Sequence, residues 1–169
     1  MSQGRVALVL LLLIVGAGLL APAIAPQDPT EQFRDLSLSA PGSQGFLLGS
    51  DDLGRDVLSR VLHGARAALT VAAVAVGLAL IGGSLFGLAA GLLGGRAEAL
   101  IMGLMNGILS FPTVLLAITV IAAFGNGLIQ VMGALAVVFT PLFARLVRAE
   151  VRSLRTRPYV LASQLLGAP

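Results

Sequence analysis

Four long apolar stretches constrain the fold of this 169-residue chain more than any other feature. A helix needs about 20 apolar residues to cross the hydrocarbon core of a bilayer, and each stretch approaches or exceeds that length. The charged fraction is only 11%, whereas a soluble domain carries about 25% charged residues. The sequence therefore predicts an all-α, polytopic integral membrane protein with four transmembrane helices. These helices are expected at about Val6 to Ile24, Ala67 to Leu93, Ala99 to Phe124 and Leu128 to Val147.

The first stretch also has features of a secretory signal, because Arg5 precedes it and Ala23-Ile24-Ala25 is similar to a cleavage site. Its apolar core is longer than the usual length of about 7 to 15 residues, and Pro26 is unfavourable after a cleavage site. We therefore expect residues 1–25 to form an uncleaved N-terminal transmembrane anchor.

A cluster of five arginines follows the fourth stretch and sets the expected orientation. Cytoplasmic loops of membrane proteins carry an excess of Lys and Arg, so this end of the chain is predicted to be cytoplasmic. Alternation then places the N-terminus in the cytoplasm and the segment 26–66 outside. We interpret the cluster mainly as a topology signal beside a surface available to a soluble partner. Its members are Arg145, Arg148, Arg152, Arg155 and Arg157.

The segment 26–66 divides into two parts by composition. Its first part, up to Gly45, is rich in Pro, Ser and Gly and is typical of an extended linker. From Ser50 the pattern predicts a short amphipathic helix on the outer membrane surface, with Ser50 or Asp51 as the N-cap and Gly64 at its end. The acids of this part could alternatively bind a metal, but capping explains them and their spacing fits no calcium loop. We expect no metal site.

Three glycines at four-residue spacing mark one face of the second stretch, namely Gly83, Gly87 and Gly91. Small residues allow helix backbones to approach closely in lipid, so this face is predicted to pack against another helix. Membrane helices also tolerate glycine in general, and that simpler explanation stays open.

Polar residues and a proline interrupt the third stretch near its middle. Proline removes a backbone hydrogen bond, so the helix should be kinked here and should face protein or water. The residues concerned are candidates for lining a translocation pathway, although helix packing explains Asn106 and Ser110 equally well. They are Asn106, Ser110, Pro112 and Thr113.

Residues that drive chemistry are scarce. The chain has one His and no Cys, and no charged residue lies in the central part of a predicted span. Ion-coupled carriers usually depend on such intramembrane charges, and enzymes on clustered nucleophiles, acids or bases. We therefore expect neither an enzyme nor a cofactor, and any uphill transport must draw its energy from another subunit.

Several motifs in order carry a resemblance to a known family. The run from Leu48 to Arg60 resembles the signature that precedes the second span of inner-membrane permeases of dipeptide, oligopeptide and nickel ABC importers. Ser110-Phe111-Pro112 and Arg145-Leu146-Val147-Arg148 are similar to later motifs of that family. The outer-surface motif comprises Asp51, Asp52, Gly54, Arg55, Asp56 and Arg60.

The resemblance implies a partial permease domain over residues 67–169 that ends in a cytoplasmic segment coupled to ATPases. Such importers combine two permeases, two cytoplasmic ATPases that bind ATP, and an extracytoplasmic binding protein; the second permease is expected to make a heterodimer. Leu161 stands where the family has glutamate. The family pattern would continue beyond Pro169 through about two more spans, so a fragment or truncated chain is expected. The coupling segment comprises Tyr159, Leu161, Ala162, Ser163, Leu165 and Gly167.

The expected function is therefore that of a permease subunit in the bacterial inner membrane, forming part of the pathway for peptides or a related small solute, nickel included. The alternative is a membrane scaffold or assembly protein that transports nothing. The sequence leaves the substrate open, because peptide and nickel permeases share these motifs.

Overall fold

The computed structural model describes residues 3–125 and 127–167, most of which are helical. Within them the only pairing of β type is an isolated bridge between Ser50 and Asp56. A short 3-10 helix covers Arg34–Leu36. The α-helices are α1 (Gln3–Ile24), α2 (Val57–Leu93), α3 (Gly95–Leu109), α4 (Thr113–Phe124), α5 (Leu128–Arg155) and α6 (Pro158–Leu165).

The chain divides into two compact units, Met1–Thr70 and Val71–Pro169. Helix α2 begins in the first unit and ends in the second. The domain limits that the sequence suggested, after residues 25 and 66, stay predictions.

Membrane-length helices dominate the described chain, as the sequence predicted. Helices α1, α2 and α5 are each long and apolar enough to cross a bilayer, and α3 with α4 would make a fourth crossing if the pair forms one span. The prediction of an all-α polytopic chain is thus confirmed.

The third predicted span is not one kinked helix. Helix α3 ends at Leu109, α4 begins at Thr113, and the two axes differ by 92°. Pro112 has no N–H group to continue the backbone ladder, and its ring disfavours helical geometry at Phe111. The Ser110 hydroxyl also donates to the Gly107 carbonyl, at 2.6 Å, and so satisfies one terminal acceptor of α3.

The separate surface helix predicted from Ser50 to Gly64 is wrong. Residues 50–56 form turns, and α2 begins at Val57 and runs through Gly64 without interruption. Its cap is Asp56, whose Oδ2 accepts a hydrogen bond from the Ser59 N–H at 2.8 Å. A glycine within a helix costs about 1 kcal/mol relative to alanine, which is too little to end a helix of this length.

The predicted extended linker is also wrong, because residues 33–54 fold back on themselves. The N–H of Leu38 donates to the carbonyl of Asp51 at 3.1 Å. The rings of Phe33 and Phe46 meet edge to face with centroids 5.8 Å apart. Gly54 makes the return possible, because its φ of +75° suits glycine and a Cβ there would lie 2.0 Å from the Phe33 carbonyl oxygen.

Helix α5 is the central element of the second unit. It contacts α3, α4 and α6, and it also packs against the glycine face of α2. A small cluster of buried residues joins α2, α3 and α5, and it consists of Ala90, Met102, Met105 and Ala144.

Candidate functional site

Four arginines of α5 point to neighbouring helices rather than only to solvent. Arg145, Arg148, Arg152 and Arg155 are separated by three, four and three residues, which places them along one side of the helix. We call this side the arginine face. Each of its members has a hydrogen-bond partner on α2 or α3.

Glu98 is the centre of the arginine face. Its Oε1 accepts a hydrogen bond from Arg148 Nε at 2.6 Å and another from Arg152 Nη1 at 3.1 Å. The Glu98 side chain is 17% exposed, whereas the Arg152 side chain is 60% exposed. One partly buried carboxylate therefore pairs with two guanidinium groups from another helix.

The turn between α2 and α3 delivers Glu98 to this position. Gly94 and Gly95 have φ values of +64° and +54°, in the left-handed region that favours glycine, and they allow a tight turn between the two helices. Glu98 then lies in the first turn of α3, where the positive end of the helix macrodipole also favours a carboxylate.

The two ends of the arginine face hold other groups. Arg145 Nη2 donates to Asn106 Oδ1 at 2.7 Å, near the end of α3. Arg155 Nη1 donates to the carbonyls of Gly91 and Leu92, at 3.0 and 2.9 Å. These are among the last carbonyls of α2, which have no partner within their own helix. Arg155 therefore acts as a cap for the C-terminus of α2.

Sequence reasoning missed Glu98 and took the arginines mainly as a topology signal. A usable signal was present, because Glu98 is the only acidic residue between Asp56 and Glu150. The predicted topology already placed it on the same side of the membrane as the arginines.

The predicted coupling segment forms α6, which is separated from the end of α5 by two residues. Tyr159, Leu161 and Leu165 are 65%, 48% and 89% exposed. Ala162, Ser163 and Gly167 are exposed as well. The structure thus brings the six residues of this segment into one short helix and the turn that follows it, with large apolar side chains accessible.

The four pathway candidates lie at or near the break between α3 and α4. Ser110 is the C-cap of α3, Pro112 precedes α4, and Thr113 begins it. Asn106 lies one turn earlier and holds Arg145, so its side chain has a packing partner within the chain. The structure brings Ser110, Pro112 and Thr113 together at the break, whereas the Asn106 side chain contacts the arginine face.

A large apolar cavity of about 940 Å³ lies beside these residues without including them. Leu104 and Ile108 of α3, Phe111 of the break, and Phe86 and Val137 of the neighbouring helices contribute to its wall. The described lining has no charged side chain, so the cavity offers no group to neutralise the termini of a peptide.

The three glycines of α2 contact α5 directly. A Cβ at Gly83 would lie 2.5 Å from Phe143 Cβ, and one at Gly91 would lie 2.7 Å from Val151 Cβ. At Gly87 the nearest atom is the Ala144 carbonyl oxygen, at 2.6 Å. All three positions therefore depend on the absence of a side chain.

In the first unit, Asp51 is the hub of the predicted outer-surface motif. Its Oδ2 pairs with Arg55 Nε at 2.7 Å and with Arg60 Nη1 at 2.8 Å. Partial burial raises the pKa of Asp51, but hydrogen bonds from Arg55 and Leu53 lower it more, and the pKa lies below its ordinary value.

The other members of this motif have different environments. Arg60 pairs with Asp51, whereas Asp56 is buried and caps α2. Asp52 lies 4.0 Å from Arg55 at the surface. In the part of the chain that the structure describes, no three His, Cys, Asp or Glu side chains are grouped as a metal site would require.

Comparison with known proteins identifies the family. Residues 83–169 match the family described as binding-protein-dependent transport system inner membrane component. The chain is similar to the di/tripeptide transport system permease protein DppC of Pseudomonas aeruginosa, with 48% identity over 95% of the chain and 55% of that protein.

Two other relatives extend the pattern. The dipeptide transport system permease protein DppC of Haemophilus influenzae is 37% identical over 96% of the chain and 57% of its own length. The probable D,D-dipeptide transport system permease protein DdpC of Escherichia coli is 37% identical over 96% of the chain and 53% of its own length. The chain spans about half the length of these relatives. It belongs to the family of binding-protein-dependent transport system inner membrane components.

Proposed function

We propose that the chain is part of a permease subunit of an ATP-driven importer for peptides or a related small solute. The observation that carries the proposal is the position of α6 within the region that matches the family. It is a short helix with exposed Tyr159, Leu161 and Leu165, directly after the arginine face. Exposed aromatic and aliphatic anchors on a short helix are the features by which a helix docks into a groove of a partner.

The partners follow from the same proposal. Cytoplasmic ATPase subunits bind ATP and contact α6, a second permease subunit completes the pathway, and an extracytoplasmic protein delivers the solute. The N-terminus and α6 are cytoplasmic, and the Asp51 hub lies outside. The charge alternation of the sequence supports this orientation.

Peptides are the favoured substrate class, because the relatives that match nearly the whole chain are named as peptide permeases. The described cavity wall is apolar, which suits the passage of side chains but supplies no recognition of charged termini. Selection of the solute is therefore assigned to the binding protein rather than to this chain.

The test is purification of the intact permease with the products of its neighbouring genes, followed by reconstitution into proteoliposomes. We expect the preparation to contain an ATPase and a second permease, and to hydrolyse ATP faster when the loaded binding protein is added. Mass spectrometry of material released from the binding protein identifies the solute. A stable preparation without an ATPase subunit would contradict the proposal and favour the scaffold alternative.

A further inference from the structure

We infer that Glu98 is a positioning residue for energy coupling: it holds α3 to α5, so that a displacement of α6 reaches the break between α3 and α4. This inference rests on the proposed function, in which α6 contacts an ATPase. It assigns a role to a carboxylate that neither lines the large cavity nor lies on α6.

The first step of the argument is the attachment of α3 to α5 at two levels. Glu98 binds Arg148 and Arg152 in the first turn of α3, and Asn106 binds Arg145 near its end. The partners are 39 to 54 residues apart in sequence, so these bonds depend on tertiary packing rather than on local structure. Two attachments along one helix oppose both sliding and rotation of α3 against α5.

The second step is the place where that attachment stops. Beyond Leu109 the regular ladder of α3 ends, and the Phe111 N–H reaches the Ile108 carbonyl only at 3.4 Å. Helix α4 resumes at a 92° angle and packs on α5 through its own contacts. A change in the angle at this break therefore disturbs few hydrogen bonds, and the break can act as a hinge between α3 and α4.

The third step is the connection to α6. Only Thr156 and Arg157 separate α5 from α6, and the two helices are in contact. A force on α6 therefore acts on the end of α5 that carries Arg152 and Arg155. Because Arg152 binds Glu98, and Arg155 binds the end of α2, that force is distributed to α3 and α2 together.

Glu98 is the critical member because its loss affects two arginines at once. Glu98→Gln keeps the shape and one carbonyl acceptor but removes the negative charge that pairs with Arg148 and Arg152. Glu98→Asp keeps the charge on a side chain shorter by one methylene. The matched control is Glu150→Gln, the same change at an exposed site of α5 whose carboxylate has no ion pair with another described residue.

The experiment uses the complete importer in proteoliposomes and measures solute transported per ATP hydrolysed. For Glu98→Gln we expect normal recovery of the complex and a basal ATP hydrolysis within about twofold of wild type, with the transport ratio lowered about fivefold or more. Glu98→Asp should restore much of the ratio, and Glu150→Gln should match wild type. If Glu98 only stabilises the fold, Glu98→Gln should lower the recovery of the complex and its ATP hydrolysis together, and the solute transported per ATP should stay unchanged.

If Glu98→Gln is recovered normally and transports at the wild-type ratio, the inference is wrong. If it fails to assemble, Arg152→Gln provides the decisive variant, because Arg152 is the more exposed partner and its loss leaves the Arg148 pair in place. A reduced ratio for Arg152→Gln would then support the inference, and an unchanged ratio would overturn it. A wild-type complex without solute-stimulated ATP hydrolysis would instead refute the proposed function, and the inference with it.

Discussion

Gly87 lies so close to Ala144 that a Cβ on the glycine would come within 2.6 Å of the alanine carbonyl oxygen. Gly83 and Gly91 make equivalent approaches to α5 one turn before and one turn after. Lipid offers no strong hydrophobic drive for helix association, so van der Waals contact between close backbones supplies much of the stabilisation. Helices α2 and α5 are therefore closely packed beside the arginine face.

Gly87→Ala should destabilise the protein by about 1–3 kcal/mol, the usual cost of overpacking a tight contact. The atoms that a new methyl group would meet are a backbone oxygen and Val147 Cβ, and neither can move without displacing the helix. The control is Gly77→Ala on the same helix, where the added Cβ meets no atom within 4 Å. Thermal unfolding in detergent measures the difference. Equal midpoints for the two variants would mean that the close contact is energetically unimportant.

The Asp51 hub should lose stability in acid. Its folded pKa lies below the ordinary value of 3.8, so the carboxylate stabilises the fold at higher pH and loses that contribution as the pH falls through the folded pKa. We expect amide protection of Leu53 and Arg55, whose N–H groups donate to Asp51, to be constant near neutrality and to fall below about pH 4. Hydrogen exchange at a series of pH values measures this change.

Asp51→Asn separates this effect from the titration of Asp28, whose pKa is also lowered, by hydrogen bonds from Thr30. The asparagine variant should show weaker protection at neutral pH and a much shallower dependence on acid. A variant that retained the full acid transition would assign the transition to another carboxyl.

Sequence reasoning succeeded where a structural feature depends on neighbours along the chain, and failed where it depends on distant ones. Apolar length alone identified α1, α2 and α5, because a bilayer crossing requires it. The sequence predicted a helix from Ser50, whereas α2 begins at Val57. Asp51 is a typical N-cap residue, but in the structure Arg55 and Arg60 bind it within a turn. Proline and serine correctly marked an interruption, whereas its 92° angle depends on how α3 and α4 pack on α5.

The candidate site shows the same division. The exposed apolar residues of α6 could be read from the sequence, since they lie in one short segment. The ion pairs of Glu98 were harder to predict, because its partners Arg148 and Arg152 lie 50 and 54 residues away in the sequence. Helical spacing places four of the arginines on one face of α5, but it does not show which helix that face contacts.

The proposed orientation predicts opposite accessibility for two single cysteines placed in this cysteine-free chain. Leu47 and Leu165 are suitable sites because their side chains are 63% and 89% exposed. In spheroplasts, a membrane-impermeant thiol reagent should label Leu47→Cys directly and Leu165→Cys only after permeabilisation. The reverse pattern would refute a cytoplasmic α6.

Docking of α6 on an ATPase should depend more on its apolar anchors than on arginine charge. Tyr159, Leu161 and Leu165 are large, uncharged and exposed, which leaves shape as the main source of contact energy. In the intact permease, Tyr159→Ala or Leu165→Ala should weaken binding of the ATPase by about 1–2 kcal/mol or more, as truncation of an interface anchor does. Co-purification and substrate-stimulated ATP hydrolysis measure the loss.

Arg157→Ala is the appropriate comparison for these variants. Arg152 is unsuitable because it binds Glu98, so its removal disturbs α3 as well as any partner. Arg157 is exposed immediately before α6 and forms no ion pair with a described residue. An exposed charge at the rim of an interface contributes little once salt screens it, so Arg157→Ala should reduce binding by less than about 1 kcal/mol. If Arg157→Ala is the more damaging change and its effect grows at low ionic strength, docking is electrostatic and the anchors have been assigned the wrong role.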